Sequence, residues 1–298
     1  MAWPRISMSE QAAGNTRLGV RKTYKLFIKG AFPRSESGRS YPVHDADSGL
    51  LAYAAMASRK DLREAVVAAR SAFAGWAGAT AYNRGQVLYR VAELMEGRSA
   101  QFAAEVGQAE GLSRRRAEAV VAAAIDRWVW YAGWSDKVTQ VAGAANPVAG
   151  PYFNFSVPEP TGVVVVIAPA QSSLLGLVSV LAPVIVTGNA AVVLASELRP
   201  LPSIALAEVL ATSDVPAGVV NVLTGSLAEL APVAAGHMDV NAIDLTGVPE
   251  ADRCELERAA AANLKRVLCD HERWDDPPGT RRLLSALEIK TVWHPVGI

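Results

Sequence analysis

Residues 159–270 constrain the fold more than any other part of the chain. Short runs of β-branched and apolar residues, at 162–168, 190–194, 219–223, 242–245 and 265–269, read as strands. Between them lie longer stretches with helical character, at 174–186, 202–211, 227–236 and 249–262. The strands have no polar face, so each needs cover on both sides. Strands that alternate with helices and lack a wet face imply an α/β fold built on a parallel sheet. Sheets of this kind bind their ligands at the carboxyl ends of the strands.

The rest of the chain organises around that unit. Residues 1–22 read as a flexible leader. A short β unit follows: 24–30 alternates and ends on Gly30, and 41–43 and 50–56 flank Asp45-Ala-Asp-Ser-Gly49, which is turn chemistry. Ser58 caps a helix with Asp61 in its first turn. Leu62, Val66, Ala69 and Phe73 form one apolar stripe, and the helix is expected to stop near Gly75 and Trp76. Further helices are expected at 83–98, at 99–110 ending on Gly111, and at 113–138. The last carries Trp128, Trp130, Tyr131 and Trp134, an aromatic group at helical spacing that reads as core. Residues 142–150, rich in Ala, Gly and Pro, read as a linker. Phe153, Phe155 and Val157 then alternate with Tyr152, Asn154 and Ser156, and Leu287, Ile289, Thr291 and Trp293 alternate in the same way. The two segments pair as an antiparallel ribbon, which is marginal in water unless it leans on something.

Composition narrows the function. Lys plus Arg and Asp plus Glu number 29 each in 298 residues, a balance that favours neither nucleic acid nor another polyanion as partner. No apolar run reaches the roughly 18 residues that span a bilayer. The polar N-terminus lacks a secretory core, so a cytoplasmic protein is expected. Cys254 and Cys269 make no disulfide framework, and His44, His237, His271 and His294 are scattered, so no metal site is expected.

With these segments placed, the chain resembles the aldehyde dehydrogenases. Leu26-Phe-Ile-Lys-Gly30, Arg84-Gly-Gln-Val-Leu88, Glu159-Pro-Thr-Gly162, Leu181-Ala-Pro183, Gly188-Asn189, Pro216-Ala-Gly-Val-Val-Asn-Val222, His237-Met-Asp239, Thr246-Gly247, Asn263-Leu-Lys-Arg-Val267 and Glu288-Ile-Lys-Thr-Val292 fall in family order and spacing. The resemblance implies a Rossmann-like NAD-binding domain over 23–150 and 159–272, with 151–158 and 283–298 as an oligomerisation ribbon. It implies that residues 273–282 are a linker standing in place of the family's catalytic domain.

The departures are as informative. The family's thiol nucleophile lies downstream of the strand that ends at Cys269-Asp270, and neither Cys254 nor Cys269 fits its motif. Both read as structural cysteines. The family's oxyanion-donating Asn falls at Gln171, and its general-base Glu at Asp270. The glycine pair that follows becomes Glu272 and Arg273, which take φ > 0 less freely. Both catalytic positions are therefore read as vestigial. The resemblance places a dinucleotide against Ala168, Pro169, Glu197, Gly225, Thr246 and Gly247. Leu194 replaces the ribose-binding Lys, while Val248, Asp252 and Leu227 replace a serine and two glycines. NAD or NADP binding is expected to be weak or lost. The implied partner is a full-length aldehyde dehydrogenase, or a second copy of this chain, held through the ribbon from Tyr152 to Val157 and from Leu287 to Trp293. The exposed apolar patch there is expected to comprise Phe153, Phe155, Ile289, Val292 and Trp293. The alternatives are an NAD(P)-dependent aldehyde oxidoreductase and an NAD-binding sensor.

Overall fold

A computed structural model describes residues 20–270 and 273–296. Residues 1–19 of the expected leader and the substituted position Glu272 lie outside the described residues. In chain order the elements are β1 (Thr23–Tyr24), β2 (Ser40–His44), β3 (Leu50–Ala55), α1 (Arg59–Gly78), α2 (Ala81–Glu96), α3 (Ser99–Glu110), α4 (Arg114–Ala132) and α5 (Val138–Ala142). There follow β4 (Ala144–Asn146), β5 (Tyr152–Pro160), β6 (Val163–Ile167), α6 (Leu175–Val186), β7 (Ala190–Leu194), α7 (Leu201–Leu210) and β8 (Val220–Leu223). The chain closes with α8 (Leu227–Gly236), β9 (Ala242–Asp244), α9 (Glu250–Ala261), β10 (Arg266–Leu268), α10 (Arg281–Ser285) and β11 (Leu287–Pro295).

The predicted parallel sheet is present, in the order β10-β9-β6-β7-β8 with every pairing parallel. Its alternation divides the core in two. Val164, Val166, Ala191, Val193, Val220 and Val222 face a cluster with α2, α4, α6 and α7. Val163, Val165, Ile167, Val192 and Leu194 face α1, α8 and α9. All five residues of β6 are buried, as are all five of β7. The hydrophobic effect, at ~25 cal/mol per Å² of apolar surface, therefore acts on both faces of the sheet.

Several boundaries differ from the sequence reading. Helix α1 runs past Gly75 to Gly78, because Trp76 is a core residue whose indole N–H donates to the Ile185 carbonyl at 2.8 Å. The long aromatic helix ends at Ala132 on Gly133, and Trp128 and Tyr131 are buried in the core as expected. Of the first alternating segment, 24–30, only Tyr24 lies in a strand, as the second residue of β1. Phe27 instead exchanges two backbone hydrogen bonds with Val222, at 2.9 and 2.7 Å, and so covers the free edge of β8.

Part of the supposed linker 142–150 is a strand. β4 pairs with β5, making a three-stranded ribbon in the order β11-β5-β4. Asn146, Asn154, Ser156 and Thr291 join in a polar ladder across it. The register corrects the single apolar patch. Phe155 stands opposite Val292, whereas Asn154 stands opposite Trp293 and Pro158 opposite Ile289. Residues directly opposite share a face. Phe153, Phe155 and Val292 therefore lie on one face, and Tyr152, Ile289 and Trp293 on the other. The ring contacts agree: Phe153 packs on Phe155 and Tyr152 on Trp293.

Candidate functional site

The carboxyl ends of β6, β7, β9 and β10 define the site. β6 leads into Ala168 and Pro169, both buried, and the Ala168 N–H donates to Leu194. β9 leads into Thr246 and Gly247. A Cβ on Gly247 would collide with the carbonyls of Ile167 and Ala168, so only glycine lets this turn lie against β6. Gly225, after β8, has φ +143° and approaches the Ala57 backbone closely, which again requires glycine. The structure thus brings Ala168, Pro169, Thr246 and Gly247 together.

Two consecutive arginines of α10 reach this edge. Arg282 is 3% exposed at its side chain and lies 2.7 Å from Asp244, itself 1% exposed. Its second nitrogen donates to the Thr246 hydroxyl at 3.0 Å. The Thr246 N–H donates to the other Asp244 oxygen at 2.9 Å. Arg281 pairs with Asp270 at 2.6 Å. The segment before these arginines is fastened as well. Arg127 donates to the Trp274 and Asp276 carbonyls, both at 2.9 Å, and Arg116 pairs with Asp275 at 2.8 Å. Sequence reasoning missed Asp244 and Arg282. The only available signal was an acidic residue inside an otherwise apolar strand.

Gln171 is exposed, and its backbone carbonyl accepts from Arg199 at 3.1 Å. The neighbouring Ser173 is held by Glu110, through both its N–H and its hydroxyl, at 2.7 and 2.6 Å. Cys254 is exposed on α9. Cys269 was expected within a buried strand. It instead follows the end of β10 and is half-buried, and burial pushes its thiol above the usual range. A raised thiol is a poorer source of thiolate at neutral pH.

On the other side of the turn, α8 and α9 enclose a cavity of about 540 Å³. Leu227, Ala231, Pro232, Val248 and Leu256 form its apolar walls, and Glu197, Asp252 and Glu255 its carboxylates. Among the described residues, neither Lys nor Arg lines it. One oxygen of Glu197 already accepts from the Leu227 N–H at 3.0 Å. Leu194 is buried among the helices rather than available to a ligand. A dinucleotide diphosphate wants N–H donors or cations. The first turn of α9 instead presents Glu250 and Asp252, and the Thr246 hydroxyl is engaged by Arg282. The residues present do not match that group. Among the described residues there is no cluster of His, Cys, Asp and Glu that could hold a metal, and no helix long and apolar enough to cross a membrane.

An open parallel sheet, with glycine turns and a helix-walled cleft at its carboxyl edge, defines a protein of the dinucleotide-fold class. The sequence profile of the aldehyde dehydrogenase family matches residues 33–271, and the chain belongs to that family. Human retinal dehydrogenase 2 is 33% identical over 251 residues, 83% of this chain and 48% of the relative. Mouse cytosolic 10-formyltetrahydrofolate dehydrogenase is 30% identical over 259 residues, 84% of this chain and 28% of the relative. The structure of an aldehyde dehydrogenase from Bacillus cereus in complex with NAD+ superimposes with a TM-score of 0.76 at 27% identity, over 83% of this chain and 50% of the other. The chain spans about half or less of the length of these relatives.

Proposed function

We propose that this chain is a non-catalytic member of the family that acts as a structural or regulatory partner of a full-length aldehyde dehydrogenase. The observation that carries this reading is the engagement of Asp270 and Thr246 by Arg281 and Arg282 of the same chain. The Asp270 carboxylate is already engaged by a guanidinium, and burial pushes the Cys269 thiol above the usual range. NAD or NADP binding is weak or lost on this reading, since the cleft between α8 and α9 is lined by three carboxylates and, among the described residues, by no Lys or Arg. The setting is cytoplasmic.

The ribbon supplies the docking element. Phe153 is 53% exposed on one face and Trp293 58% exposed on the other. Aromatic groups exposed on both sides of a thin ribbon favour burial against another subunit. Co-expression of the tagged chain with a full-length aldehyde dehydrogenase, followed by size-exclusion chromatography with light scattering, tests the proposal. A stable hetero-assembly that is lost with Phe153→Ser or Trp293→Ser is expected. A chain that stays monomeric beside the full-length enzyme would refute it. Reduction of NAD(P) by the isolated chain with a panel of aldehydes would instead establish an oxidoreductase.

A further inference from the structure

We propose that the β unit around β1–β3 binds a phosphate group, free or carried on a short organic chain, between Lys25 and Arg34. Residues 26–33 make a tight hairpin. The Ile28 and Ala31 backbones exchange two hydrogen bonds of 3.0 Å, and the Leu26 N–H donates to the Pro33 carbonyl at 3.1 Å. Lys29 and Gly30, both at positive φ, form its turn. One step outward, the same register sets Lys25 opposite Arg34. Hydrogen-bonded and non-hydrogen-bonded pairs alternate along such a ribbon, and 25–34 falls on the second kind, where side chains stand closer. The inner pair of that kind brings the Phe27 and Phe32 rings to 5.0 Å. Like charges directly opposite one another are destabilising. The open end of the hairpin therefore carries a repulsion that a bound anion relieves.

A cavity of about 240 Å³ lies at this end, and residues of β1, β2 and β3 complete its wall. Three cations line it, Lys25, Arg34 and Arg39, and among the described residues no carboxylate does. Its charge is thus opposite to that of the cleft between α8 and α9. Arg39 is already paired with Glu229 at 3.0 Å. Lys25 and Arg34, both exposed, have no hydrogen-bond or ion-pair partner among the described residues. The nearby acids are committed elsewhere. Asp61 accepts from the Ser35 hydroxyl and the Ser58 N–H at 2.8 and 2.7 Å, and Glu36 accepts from Ser58 and Lys60. The donors left in the lining are the Lys25 ammonium, the Arg34 guanidinium and the hydroxyls of Thr23 and Ser40. Two cations flanked by hydroxyls suit the acceptor oxygens of one phosphate. The volume lies below the range usual for drug-sized ligands, which leaves room for a phosphate with few further atoms. This inference does not rest on the partner reading: phosphate binding and hetero-assembly are measured separately, and either can fail alone.

Equilibrium dialysis of the full chain against radiolabelled inorganic phosphate, at low and fixed ionic strength, tests it. Saturable binding of one phosphate per chain is expected, competed by glycerol 3-phosphate and not by glycerol. Competition by glycerol 3-phosphate at lower concentration than by unlabelled phosphate assigns a phosphomonoester; otherwise the free anion is the ligand. Lys25→Gln and Arg34→Gln should each weaken binding at least five-fold, and Arg258→Gln, at an exposed position in the last turn of α9, should leave it unchanged. Lys25→Glu should abolish binding and, without phosphate, raise the melting temperature, because it sets opposite charges across the hairpin. The absence of saturable binding would overturn the proposal. So would binding that survives both glutamine variants, or a Lys25→Glu protein that melts below the wild type in the absence of phosphate.

Discussion

Removal of Arg282 should be among the most damaging single changes in this protein. Its guanidinium lies 2.7 Å from Asp244, and both side chains are almost wholly buried, at 3% and 1% exposed. Without it, the Asp244 carboxylate keeps the Thr246 N–H at 2.9 Å but loses its counter-charge. Breaking a buried pair in this way costs about 3–5 kcal/mol. At about 2–4 °C per kcal/mol for a chain of this size class, Arg282→Met should lower the melting temperature by roughly 6–20 °C. Asp244→Ala should also destabilise, because it removes the counter-charge of a buried cation that lies beside the Thr246 hydroxyl and the Trp274 ring. The double variant should recover most of the loss, since apolar replacements of a buried pair are often neutral. Urea denaturation of the wild type, both single variants and the double variant gives the coupling energy directly. A loss below about 1 kcal/mol for Arg282→Met, or strict additivity in the cycle, would refute the reasoning; both bounds follow from the cost of a broken buried pair.

Glu105 gives a pH prediction. Burial raises its carboxyl above the usual range; Glu208 pushes the same way, and the Gln101 amide opposes. One oxygen accepts from Gln101 at 2.9 Å, and the other is buried with no partner among the described residues. A raised acid favours the fold while protonated, and that contribution is lost as pH rises through its folded value. Glu105→Gln should therefore stabilise at neutral pH by on the order of 1 kcal/mol, and the gain should vanish below the ordinary carboxylate range, as read by denaturation at several pH values. Trp76→Phe removes the donor to the Ile185 carbonyl and some core volume, and should cost about 1–3 kcal/mol in the same assay. Iodoacetamide at pH 8 should alkylate the exposed Cys254 well before the half-buried, raised Cys269; peptide mass mapping after short exposure reads the order, and faster labelling of Cys269 would contradict it.

The α/β unit was legible because each of its elements announces itself locally. β7 spans residues 190–194 as read, and α8 spans 227–236 as read. Five consecutive buried residues in β6 and β7 leave no pattern except a doubly covered strand. Glycines at turns and the Ser58 capping box mark ends by chemistry that the backbone itself requires. β4 was hidden because Ala144-Ala-Asn146 has little intrinsic strand preference and forms only against β5. The ribbon's faces failed for a related reason. Alternation within each strand was visible, but which residues share a face across two strands depends on register, and register lies in the pairing.

The same distinction explains why the site itself was read only in part. Thr246, Gly247 and Asp270 could be placed from sequence, because they carry the family resemblance and follow directly on the expected strands 242–245 and 265–269. What binds them could not, because Arg281 and Arg282 lie 11 residues beyond Asp270 and 36 beyond Thr246, across a segment with no strong local signal. Their adjacency is nonetheless what the geometry needs. β9 and β10 are neighbouring parallel strands, about 4.8 Å apart. Successive residues of a helix point about 100° apart, so two consecutive arginines at the start of α10 diverge enough to reach two adjacent strand ends. A single arginine could neutralise Asp244 or Asp270, but not both. The paired arrangement also couples the buried partner to the exposed one: Arg281 is 80% exposed and contributes little by itself, but where Arg282 is fixed in the core, Arg281 is carried to Asp270 with little further ordering. It follows that Arg281→Ala should leave stability within about 0.5 kcal/mol of wild type while Arg282→Met does not, and an equal loss from the two would place the clamp elsewhere.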